Sequence, residues 1–146
     1  MTHGIDTDFL VAAEIREHPF HREAEVLLQT LLTDGHDLAV APQTLAEFIQ
    51  IVTDGKRMPQ PLTMAEAITR AEHWWQAEEV VRVFPDGQAV TDFFGWLTRH
   101  QLGRKRLFDT LLAAAMHHAG VKWIVTNNER DFKVLGVFEI VTFRPC

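Results

Sequence analysis

The sequence predicts an α/β protein: three layers, α/β/α, with a central parallel sheet of about five strands. Two observations carry this. Short β-prone runs alternate with amphipathic helical segments along all 146 residues. The clearest unit is Arg106-Leu-Phe-Asp-Thr-Leu-Leu-Ala-Ala-Ala-Met-His-His-Ala-Gly120 followed by Val121-Lys-Trp-Ile-Val-Thr-Asn-Asn128. It reads as a helix, a glycine stop and a buried strand, which is half of a βαβ unit. Strands alternating with helices call for a parallel sheet covered on both faces.

Each element has its own warrant. Ile5 ends a very short strand and leads into Asp6-Thr-Asp-Phe-Leu-Val-Ala-Ala, where Thr7 or Asp8 opens a helix over Phe9 to Ile15. Pro19 suits the first turn of a second helix, whose apolar face is Ala24, Leu27, Leu28, Leu31 and Leu32. Leu38 to Ala41 is a second buried strand, and Pro42 starts the helix that carries Glu47. Asp54-Gly55 ends that helix, and a loop over Lys56 to Leu62 follows. Thr63-Met-Ala-Glu66 has the spacing of a capping box. Val80 to Phe84 is β-branched and reads as a third strand, with Pro85-Asp86 opening the next helix. Gln101 to Arg106 is a basic loop. The long helix follows it, with Leu107, Leu111, Ala114 and Ala115 as its apolar stripe. Trp123 to Val125 is the fourth strand, Asn127 to Lys133 a loop or single turn, and Val137 to Phe143 a closing strand.

Composition bounds the function. The chain is long enough for a real core, and no repeat, low-complexity stretch or linker divides it, so one domain over residues 1–146 is expected. A formal charge of −6 argues against a broad basic nucleic-acid-binding face. It leaves room for a nuclease, whose site must hold acids for a metal. One cysteine, Cys146, allows no internal disulfide and no thiolate cluster, and a cytoplasmic setting is the natural reading. No apolar run is long enough to span a membrane. Met1-Thr-His-Gly lacks the basic and apolar regions of a signal peptide.

The acids then stand out by placement. Ligands of open α/β sheets sit at the carboxyl ends of the strands. Asp6 follows strand one, Glu47 lies within two turns of the end of strand two, and Asp109 opens the helix feeding strand four. Asn128 and Asp131 follow strand four. Crowded carboxylates repel, so such a cluster calls for a divalent cation. Oxygen ligands without cysteine or histidine clustering suit Mg²⁺ or Mn²⁺. A metal held by a few carboxylates, with water in its open positions, is a layout for phosphodiester hydrolysis. His117 and His118 are helix neighbours that point apart, so they are structural rather than a metal pair. Trp74 and Trp75 suit core or dimer contacts.

Four segments carry a resemblance. Ile5-Asp-Thr-Asp-Phe-Leu, Ala46-Glu47-Phe, Phe108-Asp-Thr-Leu-Leu-Ala-Ala-Ala and Val125-Thr-Asn-Asn-Glu-Arg-Asp-Phe132 resemble the four ordered motifs of the PIN domain family. The size of the chain is similar to the VapC-type toxins of prokaryotic toxin–antitoxin pairs. The resemblance implies a PIN-like, Rossmann-like fold and an endoribonuclease dependent on Mg²⁺ or Mn²⁺. It further implies an RNA substrate, a cognate antitoxin partner and a homodimer. By position, Asp6 and Asp109 would ligate the metal directly. Glu47 would act through water, as a ligand or by orienting the attacking water. Thr7 and Thr126 would line the pocket with hydroxyls. At the fourth acid the chain departs from the commonest form: Asn128 stands where Asp is frequent, and Asp131 is three residues further on. The loop Arg104-Lys105-Arg106, just before Asp109, is the favoured RNA contact. The rival to a ribonuclease is a non-catalytic PIN-like RNA-binding or scaffold protein, which Asn128 favours. A phosphotransfer module fits poorly, because Lys122 precedes its strand rather than following it and Glu47 would have no role.

Overall fold

The computed structural model describes residues 1–145 of the chain. Thirteen short segments of regular structure alternate as the sequence implies. They begin with β1 (Thr2–Ile5), α1 (Thr7–Glu14), α2 (His21–Thr33) and β2 (Asp37–Val40). Next come α3 (Pro42–Val52), α4 (Met64–Gln76), β3 (Val80–Arg82) and α5 (Gly87–Arg99). A single 3₁₀ turn, Arg104–Arg106, leads into α6 (Leu107–His118), β4 (Trp123–Val125), α7 (Glu129–Lys133) and β5 (Glu139–Val141). All strand pairs are parallel, in the order β3-β2-β1-β4-β5. The strand nearest the N-terminus is therefore the middle of the sheet, with Gly4 paired to Ala39 on one side and Ile124 on the other.

The layers follow from the two-residue period of a strand. Leu38 and Val40 join one buried cluster, with Ile5, Val125 and the inner faces of α1 to α4. Ala39, between them in sequence, joins the other, with Ile124 and residues of α5, α6 and α7. Successive strand residues thus feed opposite sides, and the short strands read as continuous apolar runs because both faces are covered. Of the helix starts, α4 has the full capping box: Thr63 Oγ1 accepts from Glu66 N–H at 3.1 Å and Glu66 Oε1 accepts from Thr63 N–H at 3.1 Å. Asp86 caps α5, accepting from Ala89 N–H at 2.8 Å. Among the described residues no helix is long and apolar enough to cross a membrane.

Several boundaries differ from those expected. Pro19 lies in the turn before α2 rather than in its first turn, where His18 Nδ1 accepts from Phe20 N–H. The closing strand is only Glu139–Val141; Val137 and Phe138 instead pack against the core beneath α6 and α7. β3 ends at Arg82, as suits a mostly exposed edge strand. The apolar stripe of α6 is also different. Leu107 is 37% exposed, whereas Thr110 and Leu112 to Met116 are all buried. A single stripe describes a helix with one covered face. α6 packs against both α5 and α7 as well as the sheet, so its middle is covered over a wider arc.

Gly4 sets how closely α6 approaches the sheet. A Cβ there would stand 2.7 Å from Ile124 Cδ1, and 3.3 Å from both Met116 Sδ and Val121 Cγ1. All three neighbours are themselves buried. Gly4→Ala should therefore lower unfolding free energy in urea by about 1–3 kcal/mol, the usual cost of overpacking. An unchanged midpoint would show that this contact yields freely.

Candidate active site

The carboxyl edge of the sheet gathers the acids, and the reason is local in each case. β1 ends at Ile5, and Asp6 takes an extended conformation that caps α1. Its Oδ1 accepts from Thr7 N–H at 2.8 Å, and its own N–H donates to Val125 O at 3.2 Å. Thr126, fully buried at the end of β4, donates its hydroxyl proton to Asp6 Oδ2 at 2.7 Å. Thr126 Oγ1 in turn accepts from Asn128 N–H at 2.9 Å. Asp8, in the first turn of α1, reaches the same loop. Its Oδ2 accepts from Asn127 N–H at 2.8 Å and lies 3.3 Å from the Thr126 hydroxyl. One hydroxyl has one proton, and the shorter contact assigns it to Asp6. The other oxygen of Asp8, Oδ1, is buried and has no hydrogen-bond partner.

Glu47 and Asp109 face one another's neighbourhood across a cleft of about 630 Å³ between α3 and α6. Thr7, Thr44 and Leu112 also line it, and Phe108, 75% exposed, stands at α6's first turn within the lining. The electrostatics record the crowding. Burial, then the charges of Asp6, Glu47 and Asp131, push the Asp109 carboxyl up to about 7. Asp6 and Asp8 titrate as a pair, both raised, with burial the leading cause for each. For Asp6 the charge of Asp8 comes next, against the lowering hydrogen bonds from Thr126 and Thr7. Asp109 adds to the repulsion felt by Asp8.

The remaining candidates divide. Thr7 is buried and lines the cleft, and Thr126 holds Asp6. Asn128 is exposed, and its side chain does not cap α7. The neighbouring amide, Asn127, has a packing task instead: its Oδ1 accepts from Phe143 N–H at 2.9 Å. Asp131 is close enough to Asp109 to share a hydrogen bond with it, yet it also pairs with Arg106, Nε to Oδ1 at 3.0 Å. Of the basic loop, Arg104 and Lys105 are exposed, while the Arg106 guanidinium is committed to that pair. His117 lies against Trp96 and Phe138, and His118 pairs with Asp92, so neither reaches the acids. Trp74 is buried with its indole N–H on Glu14 at 2.9 Å, and Trp75 packs against Phe84 and Arg82.

Asp8 is the acid that sequence reasoning passed over, because it was read as a helix opener. Its signal was the pattern Asp-Thr-Asp, which puts two acids at one strand end.

The donor set fits a hard divalent cation. Several raised carboxyls and a partnerless buried oxygen lie together, and the cation nearest them among the described ion pairs, Arg106, serves Asp131. Among the described residues no three His, Cys, Asp or Glu side chains form a ready-made cage for an ion. That is no obstacle for Mg²⁺, which takes one or two carboxylates and keeps several waters.

An acid-lined cleft at the carboxyl edge of a five-stranded parallel sheet, ordered 3-2-1-4-5, defines the class of protein. The PIN domain family matches residues 5–137, which include every acid of the candidate site, and the chain belongs to that family. It is 27% identical over 138 residues to "Ribonuclease VapC24" of Mycobacterium tuberculosis, covering 91% of this chain and 90% of that protein. Its fold is similar to the crystal structure of M. tuberculosis VapC20, a sarcin–ricin-loop-cleaving toxin. The TM-score is 0.70 at 17% identity, over 94% of this chain and 97% of that one. It is similar as well to VapBC2 of Rickettsia felis bound to a promoter DNA fragment, with TM-score 0.70, 18% identity, and 99% and 100% coverage. A toxin–antitoxin complex from Klebsiella pneumoniae matches with TM-score 0.62 at 18% identity, covering 99% of both chains.

The raised carboxyls make a pH prediction for the metal-free protein. Asp109 titrates near 7 when folded and near 3.8 when unfolded, so between those values the folded state holds more protons. Its contribution to stability is fully present below about pH 4 and is lost as pH rises through about 7. In EDTA, the parent should lose urea stability between pH 5 and 8 more steeply than Asp109→Asn. His3, held below its ordinary value by burial and by His36, acts in the opposite direction, and subtracting the two curves removes it. Parallel curves for the two proteins would contradict the crowding.

Proposed function

We propose that this chain is a divalent-metal-dependent endoribonuclease that hydrolyses RNA phosphodiester bonds as the toxin of a toxin–antitoxin pair. The observation that carries the reading is that Glu47 and Asp109 line one cleft with the buried Asp6 close enough for their charges to repel, three acids from three separate segments. The names of its relatives support it: one is a ribonuclease, and others are toxins or toxin–antitoxin assemblies. On this reading a cognate antitoxin silences the chain, the chain pairs as a homodimer, and both act in the cytoplasm.

Ribonucleases of this type generally use a divalent metal, which supplies a Lewis acid and a water of lowered pKa. Asp6 and Asp109 are the residues that would hold it. Thr126 and Thr7 keep the Asp6 carboxylate aimed by donating to its two oxygens. Glu47, on the facing wall, orients water by accepting its proton in a hydrogen bond. Asn128 donates its backbone N–H to a lone pair of the Thr126 oxygen, which keeps that hydroxyl's single proton directed at Asp6. Asp131, anchored by Arg106, shares a hydrogen bond with Asp109. Arg104 and Lys105, exposed just ahead of α6, contact RNA phosphates.

The purified chain should cleave RNA with Mg²⁺ or Mn²⁺ and stop in excess EDTA. Asp109→Asn should reduce the cleavage rate and Mn²⁺ affinity together by at least tenfold, about 1.4 kcal/mol each. Cleavage that persists in EDTA contradicts the metal mechanism. Asn128, which removes one acid from the commonest pattern, favours the second reading, a non-catalytic RNA-binding or scaffold protein. RNA binding without cleavage of any of several RNAs would select it.

Replacing Arg104 and Lys105 by Ala should weaken RNA binding and reduce the slope of log K against log salt by roughly 0.7–0.9 per lost phosphate contact. Mn²⁺ binding should not change. A parent-like salt slope would reduce the loop to solvated surface.

A further inference from the structure

The missing acid at Asn128 has a structural counterpart on a different element. We infer that Asp8 supplies the carboxylate that Asn128 withholds, placing it at the end of β4 from the first turn of α1. This rests on the metal-dependent reading above.

Three observations support it. First, Asp8 and Asn128 meet at the same group. The Thr126 hydroxyl accepts Asn128 N–H at 2.9 Å and lies 3.3 Å from Asp8 Oδ2. The backbone of residue 128 and the carboxylate of Asp8 therefore meet at one corner, around the Thr126 hydroxyl. Second, Asp8 is fixed there on one oxygen only. Oδ2 takes Asn127 N–H at 2.8 Å, which leaves Oδ1 buried and without a partner. A buried carboxylate oxygen without a donor is costly, and a cation or one of its bound waters is the partner that satisfies it. Among the described residues no protein donor meets it with hydrogen-bond geometry; the Phe9 N–H lies near the carboxyl and lowers its pKa without completing such a bond. Third, the other substitute is already engaged. Asp131 is held by Arg106 at 3.0 Å, so one of its oxygens already has a cationic partner within the protein. Asp8 has no basic partner among the described ion pairs.

The backbone explains how α1 can do this. Asp6 is the cap, in extended conformation, and the helix begins only at Thr7. Asp6 and Asp8 consequently do not diverge as two residues inside a helix would, and both reach Thr126. Asp8 is thus an ion-holding residue, distinct from a turn former that Asn would replace without loss.

The test is Mn²⁺ titration of the metal-free, RNA-free full chain, read by calorimetry and by melting temperature. Asp8→Asn keeps an acceptor for Asn127 N–H. It should bind Mn²⁺ at least ~10-fold more weakly, or bind one equivalent fewer, while melting no lower than the parent in EDTA. Asp8→Asn/Asn128→Asp should recover most of the lost affinity, because it returns a carboxylate to the residue whose backbone meets Asp8 at Thr126. Asn128→Asp alone changes an exposed position, so it keeps the test valid should Asp8→Asn fold poorly. It should leave Mn²⁺ affinity within about twofold of the parent, since the corner is filled. Three outcomes overturn the inference: parent-like Mn²⁺ binding by Asp8→Asn, no recovery in the double variant, or strong tightening by Asn128→Asp alone. Asp109→Asn separates this inference from the reading beneath it. If Asp109→Asn loses Mn²⁺ and Asp8→Asn does not, Asp8 is only a tie and the metal reading stands. If neither loses it, both fall.

Discussion

A single hydroxyl holds the edge of this sheet together. Thr126 Oγ1 donates to Asp6, accepts from Asn128 N–H, and lies within reach of Asp8. Without it, the ends of β1 and β4 would be joined there by the backbone bond from Asp6 N–H to Val125 O and by the bond from Asn127 N–H to Asp8. Asp6 and Thr126 are polar and buried, so their arrangement is stable only if it is nearly complete. The incompleteness is as informative as the bonds: it is concentrated in Asp8 Oδ1 and in carboxyls raised by burial and mutual repulsion. The metal-free protein carries a charge problem that a cation would relieve.

The fold makes that crowding affordable by putting it where backbone is most constrained. β1 is central and paired on both sides, and Gly4 lets α6 close tightly over it. α6 is buried through its middle, so its first turn and Asp109 are fixed by the core rather than by the cleft. Glu47 comes from α3, on the other buried cluster, whose Phe48 and Val52 are fully buried. The two walls of the cleft are thus anchored in opposite layers, and the acids meet at the edge between them.

Most of the architecture was legible because each strand is short, apolar and bounded by a turn or cap, and the alternation with helices leaves little freedom of topology. Asp6, Glu47 and Asp109 were legible for the same reason: each follows or opens an element at the carboxyl edge. What the sequence hid were matters of pairing. Arg106 sits in a basic run with Arg104 and Lys105, and only the fold turns it towards Asp131. Asp8 looks like a helix opener until β4 brings Asn127 N–H to it from 119 positions away. The α6 stripe went astray because periodicity predicts one covered face, and α5 and α7 cover more.

The account's central claim is that these carboxylates hold a divalent cation. Crystals of the protein grown with Mn²⁺, with data collected at the manganese absorption edge, would test it most directly. The account predicts an anomalous peak about 2.1 Å from oxygens of Asp6 and Asp109, inside the cleft. Anomalous peaks confined to surface sites, with the acid cluster empty at saturating Mn²⁺, would contradict it.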